Sequence, residues 1–575
     1  MTLHLQVRKT LQAVILIVSS CFSSWVSANG YADLSGRRIT SVAVVFDSGK
    51  DQNETYRNAV LKAFGAFPGA QFDPVRSNIA LNQVRRLRFV KNVQYSPQPS
   101  SSGQVDLVIE VELSEKAKPL DEGPIGVFAG GGSKDFPTLY ADKDQVLQAK
   151  LENKSMVFSN THAFFGRPEV LSAGNPLATA PSGRRNGPDT WLESSIEAGL
   201  YGLKGLTRQV SSFAGVSGIA SGSWGPELFT DKSRTHFGVE DAYLGVVGNN
   251  TTEQGEIQQF SLLVGRKSFQ VDSGMILRLA SANGGARAAL QSNPRNAADQ
   301  LIFGQFVHNE HKLEVFRFNP DELEELDSQT LIHGINYEGR LLPGLRLGAM
   351  YLDVPESKFS YYTTTSVLSR KGLRVADLRL AYDPLPGQSG MYAQTEFARQ
   401  THESFDMDAR AGYLELGYRF NDRPWRPTLS YRYSRFTGDD PSTATFERWD
   451  PLFAGGSGDE WVQGLNQYKV VQTSNVIAHR FMGRLLVSPR IELTPQFWIF
   501  KADQTNNLGG AQALSTLSSR DLGKELNITA RYVSSANLIF VFSAAYTRPG
   551  EAIRQALNND YKNWLSASAL MIARF

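Results

Sequence analysis

The feature that most constrains this chain is a two-residue alternation of apolar and polar side chains, which recurs from about residue 143 to the end. In one of these runs the apolar set is Leu378, Leu380 and Tyr382, and the other set is Asp377, Arg379 and Ala381. Such alternation predicts a β-strand with one apolar and one polar face. Soluble sandwiches also alternate, but arginine repeated on one face of strands of ~10 to 14 residues is typical of a transmembrane β-barrel, with lipid outside and water inside.

The composition agrees with a barrel once the alternation is recognised. The mean hydropathy is -0.28, and apart from one short run near the start no stretch approaches the ~18 to 20 apolar residues of a spanning helix. Only helices and closed barrels satisfy their backbone hydrogen bonds in lipid. We therefore expect a mainly β fold, a transmembrane antiparallel barrel of about 18 strands (16 to 18). The last run ends at Phe575, and a terminal aromatic residue there resembles the signal read by the outer-membrane barrel assembly machinery.

Two kinds of connection are predicted between the strands. Short turns are expected at residues 385–387 and 421–424, and long polar connections at 159–189, 283–299, 436–466 and 503–524. In outer-membrane barrels the short turns face the periplasm and the long loops face outward.

The first 28 residues are predicted to be a secretory signal peptide. A basic start and an apolar core at 11–18 precede small residues that favour cleavage between Ala28 and Asn29. Two alternatives stay open, an uncleaved anchor and a cut that would make Cys21 a lipidated terminus. Cys21 is the only cysteine, which excludes a disulfide scaffold and Cys-based metal sites.

Residues 36–115 predict a small domain with the order β-α-α-β-β. The stretch from Leu81 through Phe89 into a strand at Val93, followed by the alternating acidic strand 105–113, resembles a POTRA domain, the periplasmic module in front of outer-membrane translocation barrels. The resemblance implies a partner strand bound by β-augmentation; a domain that only plugs or orients the barrel is the other interpretation. Residues 116–142 are predicted to be a linker and barrel entry, and 143–575 the barrel itself.

Four segments together resemble the alginate export family of outer-membrane barrels: HFGVEDAYLGVVG, FSLLVGRKSFQVDSGMIL, YRYSRFTGDDPSTATFERWDPLFAG and YTRPGEA. The most specific lies at 434–455, where Gly-Asp-Asp-Pro is followed by Asp-Pro-Leu-Phe. The resemblance implies a barrel of about 18 strands that moves solutes or polysaccharide across the outer membrane. It does not identify the cargo. The POTRA-like domain departs from the family's exporter, which has no such module.

The polar phase of the strands defines a candidate set of lumen-lining charges. Its cations are Arg340, Arg346, Arg379, Arg432, Arg480, Arg484 and Arg531, and its anions are Glu193, Glu197, Glu338, Asp377, Glu396 and Glu415. A strongly anion-selective pore needs an uncompensated positive ring. The mixture instead predicts a transverse field with ion pairs that hold the lumen rigid, so each arginine is interpreted first as an ion-pair partner.

Other function classes find less support. The balance of 59 Lys+Arg against 57 Asp+Glu argues against a nucleic-acid partner. A nucleophile elbow is absent, and His308 and His311 fall in a predicted strand turn, so no enzyme, metal site or cofactor is predicted. The alternative function is a POTRA-dependent protein translocation or surface-display platform of the Omp85 or two-partner-secretion type, although the Arg-Gly-aromatic motif of those barrels is missing. A surface antigen with ligand-binding loops is a third possibility.

Overall fold

The architecture described below is that of a computed structural model. It describes residues between Leu34 and Arg574, with gaps of four or more residues at 47–53, 73–76, 100–103, 114–136, 164–187, 252–256, 385–388, 456–462, 467–472, 507–515 and 557–560, and shorter ones elsewhere. Ala28, Asn29, Cys21 and Phe575 therefore lie outside the described residues, and so does most of the predicted linker. Within that part of the chain, no helix has both the length and the apolar character needed to cross a membrane.

The amino-terminal domain is a three-stranded sheet with helical residues packed on it. Strand β1 (Ile39–Phe46) leads to the helix Glu54–Phe64, and β2 (Val90–Pro99) and β3 (Val105–Leu113) follow. The sheet order is β1-β3-β2, with β1 parallel and β2 antiparallel to the central β3. The alternate residues Val105, Leu107, Ile109 and Val111 of the central strand β3 are all fully buried. They lie on the face of the sheet that packs against the helical residues. They form a core separate from that of the barrel.

A closed antiparallel barrel of 18 strands forms the rest of the chain, as the alternation predicts. The short strand β4 (Thr138–Ala141) precedes it and pairs with the start of β5. The first nine barrel strands are β5 (Gln145–Thr161), β6 (Pro188–Gly205), β7 (Val210–Trp224), β8 (Arg234–Thr251), β9 (Ile257–Ser268), β10 (Ala297–His308), β11 (His311–Asn319), β12 (Leu331–Leu342) and β13 (Leu345–Glu356).

A two-stranded hairpin, β14 (Ser360–Tyr362) and β15 (Val367–Ser369), interrupts the order. The other nine barrel strands are β16 (Leu373–Tyr382), β17 (Gly390–His402), β18 (Ala409–Arg419), β19 (Thr428–Phe436), β20 (Val476–Ser488), β21 (Ile491–Lys501), β22 (Asp521–Ser535), β23 (Leu538–Pro549) and β24 (Trp564–Arg574). A short helix, Glu551–Ala556, lies between β23 and β24. The barrel closes because β24 pairs with the second half of β5.

The two faces of the strands differ as the sequence predicts. On β16, Leu378 and Leu380 are 49% and 37% exposed, whereas Asp377 and Arg379 between them are 6% and 5% exposed. The apolar side chains therefore face out of the barrel and the charged ones face in, which is the reverse of a soluble protein. Lipid contact stabilises the outer face, and ion pairs inside must satisfy the charges of the inner face.

The two ends of the barrel carry different connections. At one end, called the turn end, neighbouring strands are joined by tight links such as 309–310 and 343–344. At the other, called the loop end, the links include 269–296, 320–330, 357–372 and 437–475. The turn at 421–424 is observed within the link 420–427, while 385–387 lies outside the described residues.

Two predicted loop boundaries were wrong. The loop expected at 283–299 runs from 269 to 296, and the loop expected at 436–466 runs from 437 to 475. The first begins earlier because Val271, Met275, Ile276 and Leu277 resemble a continuing apolar strand but are instead buried inside the barrel. The loops therefore fold into the lumen instead of standing above it.

Candidate lumen constriction

All thirteen charges predicted to line the lumen have the inward parity of their strands. The six carboxylates are buried, and so are Arg379, Arg432, Arg480 and Arg531. Arg346 and Arg484 keep 20% and 16% of their side chains exposed. Arg340 lies at the turn end of β12 and is 42% exposed, which places it at the rim rather than in the lumen.

Every one of the seven arginines has a carboxylate within 4 Å. The shortest N–O distances are Arg432–Glu415 2.7 Å, Arg480–Glu415 2.8 Å, Arg340–Glu310 2.8 Å, Arg379–Asp377 3.1 Å, Arg531–Glu492 3.8 Å, Arg346–Glu338 3.9 Å and Arg484–Glu492 4.0 Å. Cross-strand register explains the tightest group, because Glu415 lies opposite Arg432, which in turn lies opposite Arg480. The arginines and carboxylates of the wall therefore neutralise one another in ion pairs between and along neighbouring strands.

Several wall carboxylates hold the backbone of the in-folded loops. Glu193 accepts hydrogen bonds from the amides of Gln291 (3.0 Å) and Ser292 (2.7 Å). Glu240 accepts from the amides of Asn296 (2.6 Å) and Ala297 (2.9 Å). A buried N–H without a partner is costly, so these carboxylates fix where the loop 269–296 returns to the wall. Glu197, in contrast, pairs with Lys150 at 2.7 Å.

The tip of the loop 269–296 is a tight turn that reaches a part of the wall several strands away from β9 and β10. The Gly274 amide donates to Val271 O (3.0 Å) and the Val271 amide to Leu277 O (3.0 Å). Gly274 has φ +81°, and a Cβ there would lie 2.8 Å from Arg278 Cβ and 2.9 Å from Gly455 O, so only glycine fits. Ser273 Oγ donates to Glu396 on β17 at 2.9 Å. The loop therefore extends into the lumen.

The amino-terminal domain meets that turn. The Arg38 guanidinium lies 3.4 Å from the Asp272 carboxylate, and Gln71 Nε2 donates to Asp272 O at 3.3 Å. Gly69, with φ +95°, lies so near the wall that a Cβ would be 2.6 Å from Arg346 Nη1. Hence the domain, the in-folded turn and the wall converge around Asp272.

A small recess lies at this convergence. The charged groups around it come from the domain, the turn and the wall, and they are Arg38, Asp272, Glu338, Arg346 and Arg379. Three cations and two anions surround the space, so its electrostatic field runs across the lumen instead of having one sign. We refer to this place, defined by those five residues, as the constriction.

A buried ion pair connects the loop 437–475 to the loop 357–372. Arg370 donates to both carboxylate oxygens of Asp450, at 2.7 Å and 2.9 Å, and the Tyr361 hydroxyl donates to Asp450 at 2.7 Å. All three side chains are buried. Burial alone raises the pKa of Asp450, but the Arg370 guanidinium outweighs this effect and holds the pKa below its usual value. The Arg278 amide donates to Phe453 O at 2.9 Å, so the loop 437–475 also holds the loop 269–296.

A third cluster gathers three arginines around one carboxylate at the loop end. Asp321 accepts from Arg287 and Arg295, both at 2.9 Å, and from Arg266. Burial raises the pKa of Asp321, but the hydrogen bonds and charges of these arginines outweigh it and lower the pKa to about 2. This cluster joins the loop 320–330 to the loop 269–296.

Three residues of the constriction, Glu338, Arg346 and Arg379, belong to the set expected from the sequence, and two do not. Neither Arg38 nor Asp272 was in the predicted set, because neither lies on an alternating barrel strand. One signal was present, since Asp272-Ser273-Gly274 is a turn sequence set between the apolar residues Val271 and Met275. A polar turn flanked by apolar residues is typical of a hairpin tip that is buried.

Nothing in the described part of the chain groups three or more His, Cys, Asp or Glu side chains in an arrangement that could hold a metal ion. His308 and His311 lie at the ends of β10 and β11, paired directly across a two-residue turn, as expected. His479 lies on the outward face and makes a 2.8 Å hydrogen bond with the Tyr431 hydroxyl.

An apolar exterior, a charged interior and a lumen narrowed by its own loops define a porin-like outer-membrane channel. Residues 224–565, more than half of the chain, match the model of the alginate export family. The chain belongs to that family.

The solved structures that this chain is similar to share little sequence with it. Pseudomonas aeruginosa OprD is 13% identical, with a TM-score of 0.41 over 74% of this chain and 94% of that one. P. aeruginosa OccK5 (OpdH) is 10% identical, with a TM-score of 0.43 over 75% and 98%. Salmonella typhi OmpF in complex with daunomycin is 12% identical, with a TM-score of 0.36 over 76% and 100%. No curated protein matches the chain.

Proposed function

We propose that this channel passes a polar solute or an exopolysaccharide across the outer membrane, and that the amino-terminal domain closes it at rest. The observation that carries the proposal is the contact between Arg38 of that domain and Asp272 of the in-folded turn, inside the lumen. A channel held shut by its own termini and loops opens when those contacts separate.

The proposed orientation follows from the two ends of the barrel. The domain contacts the in-folded turn beside Arg346, which lies next to a tight link of the turn end. Since short turns face the periplasm in outer-membrane barrels, the domain belongs in the periplasm and the long loops outside. A periplasmic partner that pulls the domain away would open the channel, and the edge strand β2 suits β-augmentation by such a partner.

The charges at the constriction favour a hydroxyl-rich cargo over a simple inorganic anion. Arg346, Arg379 and Glu338 present both donors and acceptors within one recess. A sugar hydroxyl both donates and accepts hydrogen bonds, so a saccharide can satisfy both kinds of group as it passes. A cargo with scattered carboxylates fits the same wall, since the arginines have the fork geometry that binds them.

Single-channel conductance in planar bilayers tests the proposal. The full chain should show long closed periods, and a chain lacking residues 29–120 should show a stable open state. Adding an oligosaccharide to the open channel should produce brief blockades. The proposal fails if neither chain conducts, or if deletion of the domain leaves the open probability unchanged.

A control separates the domain's contact from loss of its fold. The Arg38→Gln variant keeps the whole domain and removes only the charge facing Asp272. It should raise the open probability in the same direction as the deletion, whereas Lys91→Gln should not, because Lys91 pairs with Glu112 on the domain's own sheet.

A further inference from the structure

Basic residues collect on the outward face of the barrel at its loop end. Seven of them lie on consecutive strands from β16 to β23, with β20 the exception: Arg374, Arg399, Arg410, Arg435, Lys501, Lys524 and Arg548. All seven are exposed and have the outward parity of their strands. They are therefore not part of the lumen charges described above.

The strands β5 to β8, which follow β24 around the barrel, lack this feature. On β5 to β8, the outward residues at the loop end are uncharged, and they are Thr161, Thr190, Trp224 and Phe237. The asymmetry means that the basic residues form a patch on one side of the barrel. Because the patch covers one part of the barrel's circumference, it indicates a localised partner with negative charge.

Four members of the patch already have carboxylate partners, and three do not. Arg374 pairs with Glu403, Arg435 with Asp503, and both Arg399 and Arg410 with Asp408. Lys501, Lys524 and Arg548 are in no ion pair with another described residue. Asp521, opposite Lys501 in the register, accepts instead from the amides of Gly523 (3.1 Å) and Glu551 (3.2 Å).

These three residues, called the basic triad, are held close together by the strand register. Lys524 lies directly opposite Arg548, and Lys501 lies two residues beyond Ile499, which faces Lys524. Directly opposed residues have Cβ atoms about 5 Å apart and diagonal ones about 7 to 8 Å. Like charges at this spacing repel each other, so an anion between them would stabilise the strands.

The lipid-facing surface begins immediately below the triad. Leu526 and Tyr546, two residues further into their strands than Lys524 and Arg548, are 57% and 46% exposed. Two residues of a strand span about 7 Å. The head groups of the triad therefore lie at the level where the apolar zone ends and lipid headgroups begin.

We infer that the basic triad binds the phosphate groups of a lipid headgroup in the leaflet at the loop end. Phosphate supplies the negative charge that the triad lacks, and acyl chains extend from it over the exposed apolar side chains below. A soluble anion would satisfy only the first of these two surfaces. In the orientation proposed above this leaflet is the outer one, whose lipids are phosphorylated glycolipids.

Native mass spectrometry of the full chain in detergent tests the inference. The probe is the bis-phosphorylated glycolipid lipid A, compared with zwitterionic phosphatidylcholine, and a threefold variant changes Lys501→Gln, Lys524→Gln and Arg548→Gln. The matched control removes three exposed charges at the turn end, Arg423→Gln, Arg426→Gln and Arg490→Gln. Juxtamembrane cations act additively on anionic lipid, so the triad variant should bind lipid A at least ~10-fold more weakly, and the control should bind as the unchanged chain does.

Three outcomes would overturn the inference. They are equal weakening in the control, equal affinity of the unchanged chain for lipid A and phosphatidylcholine, and release of bound lipid A by millimolar inorganic phosphate alone. The conservative variant Lys524→Arg with Arg548→Lys keeps both charges and should retain binding, which separates charge from misfolding. The open probability of the channel is measured separately, so failure here leaves the proposed function untouched.

Discussion

Replacing Asp272 by asparagine removes one charge from the constriction while keeping the shape of the side chain. The Arg38–Asp272 pair is 3.4 Å apart, and its side chains are 28% and 15% exposed. At this distance the Coulomb energy is about 5 kcal/mol with an effective dielectric constant of ~20. Desolvation cancels much of it, and a hydrogen bond to a charged group contributes about 1.5 to 3 kcal/mol net.

A loss of about 2 kcal/mol changes the balance of closed and open states roughly 30-fold. A channel that is open about 1% of the time would then be open about a quarter of the time. The assay is single-channel recording of the full chain in planar bilayers, with open probability as the readout. Gln71 donates to the backbone carbonyl of Asp272, so this second contact persists and the domain stays docked in part.

Two controls make the result decisive. Asp353→Asn removes a carboxylate from the outer face of β13, 3.9 Å from His333, and should leave the open probability unchanged. Exchanging the charges, with Arg38→Asp and Asp272→Arg together, should restore closure that either single change disrupts. If Asp272→Asn and Asp353→Asn give the same open probability, or if the exchanged pair stays open, the contact does not close the channel.

Three further predictions concern the loops. Asp450→Asn leaves the buried Arg370 without a charged partner, so it should lower the free energy of unfolding by about 3 to 5 kcal/mol in urea unfolding in detergent. The control Asp422→Asn, at an exposed turn, should change the free energy of unfolding by less than ~0.5 kcal/mol. Equal effects of the two substitutions would contradict the argument. The pKa of Asp321 is lowered to about 2 in the folded chain, so its contribution to stability is present above pH ~4 and disappears as the pH falls through about 2. An Asp321→Asn chain should therefore lack that part of the acid unfolding transition. Identical acid titrations of the two chains would refute this prediction. Gly274→Ala places a methyl group at φ +81° against Gly455 O, which costs about 1 to 2 kcal/mol. The substitution should therefore make the loop 269–296 sensitive to proteolysis. The control Gly304→Ala, whose Cβ would meet open space, should leave the proteolysis of that loop unchanged.

The strands were predictable because lipid imposes one rule on every residue of the barrel. Leu378 and Arg379 face opposite sides whatever their neighbours are, so their parity alone places them correctly. The register of β9 and β10 becomes irregular next to Gly265, where φ is +130°. The effect is local: Arg266, the next residue, pairs with Asp321 instead of facing lipid. Partner choice along the wall depends on the strand register, which places Glu415 beside Arg432.

Two residues of the constriction, Arg38 and Asp272, were not predictable for the complementary reason. A loop that folds into the lumen contacts the wall through long-range pairings that leave no period in the sequence, as with Ser273 and Glu396, which are 123 positions apart. The same holds for Arg38 and Asp272, 234 positions apart. The apolar residues of this loop also obscured where the strand ends. Val271, Met275, Ile276 and Leu277 pack inside the barrel, although their apolar character resembles that of lipid-facing residues.

The buried acids of the wall bear on the selectivity of the opened channel. Glu193 and Glu240 accept backbone amides of the loop 269–296, and Glu525 accepts those of Leu465 (2.6 Å) and Asn466 (3.0 Å) in the loop 437–475. An acid used in this way remains satisfied whether or not cargo is present, because removing it would leave buried amides unpaired at about 1 to 3 kcal/mol each. Counting lumen charges therefore overstates how many of them a solute can encounter. We expect selectivity to reside foremost in Asp272, which loses its partner Arg38 when the domain separates. Charge reversal at Asp272 should therefore change the cation-to-anion permeability ratio, whereas Glu193→Gln should chiefly destabilise the loop.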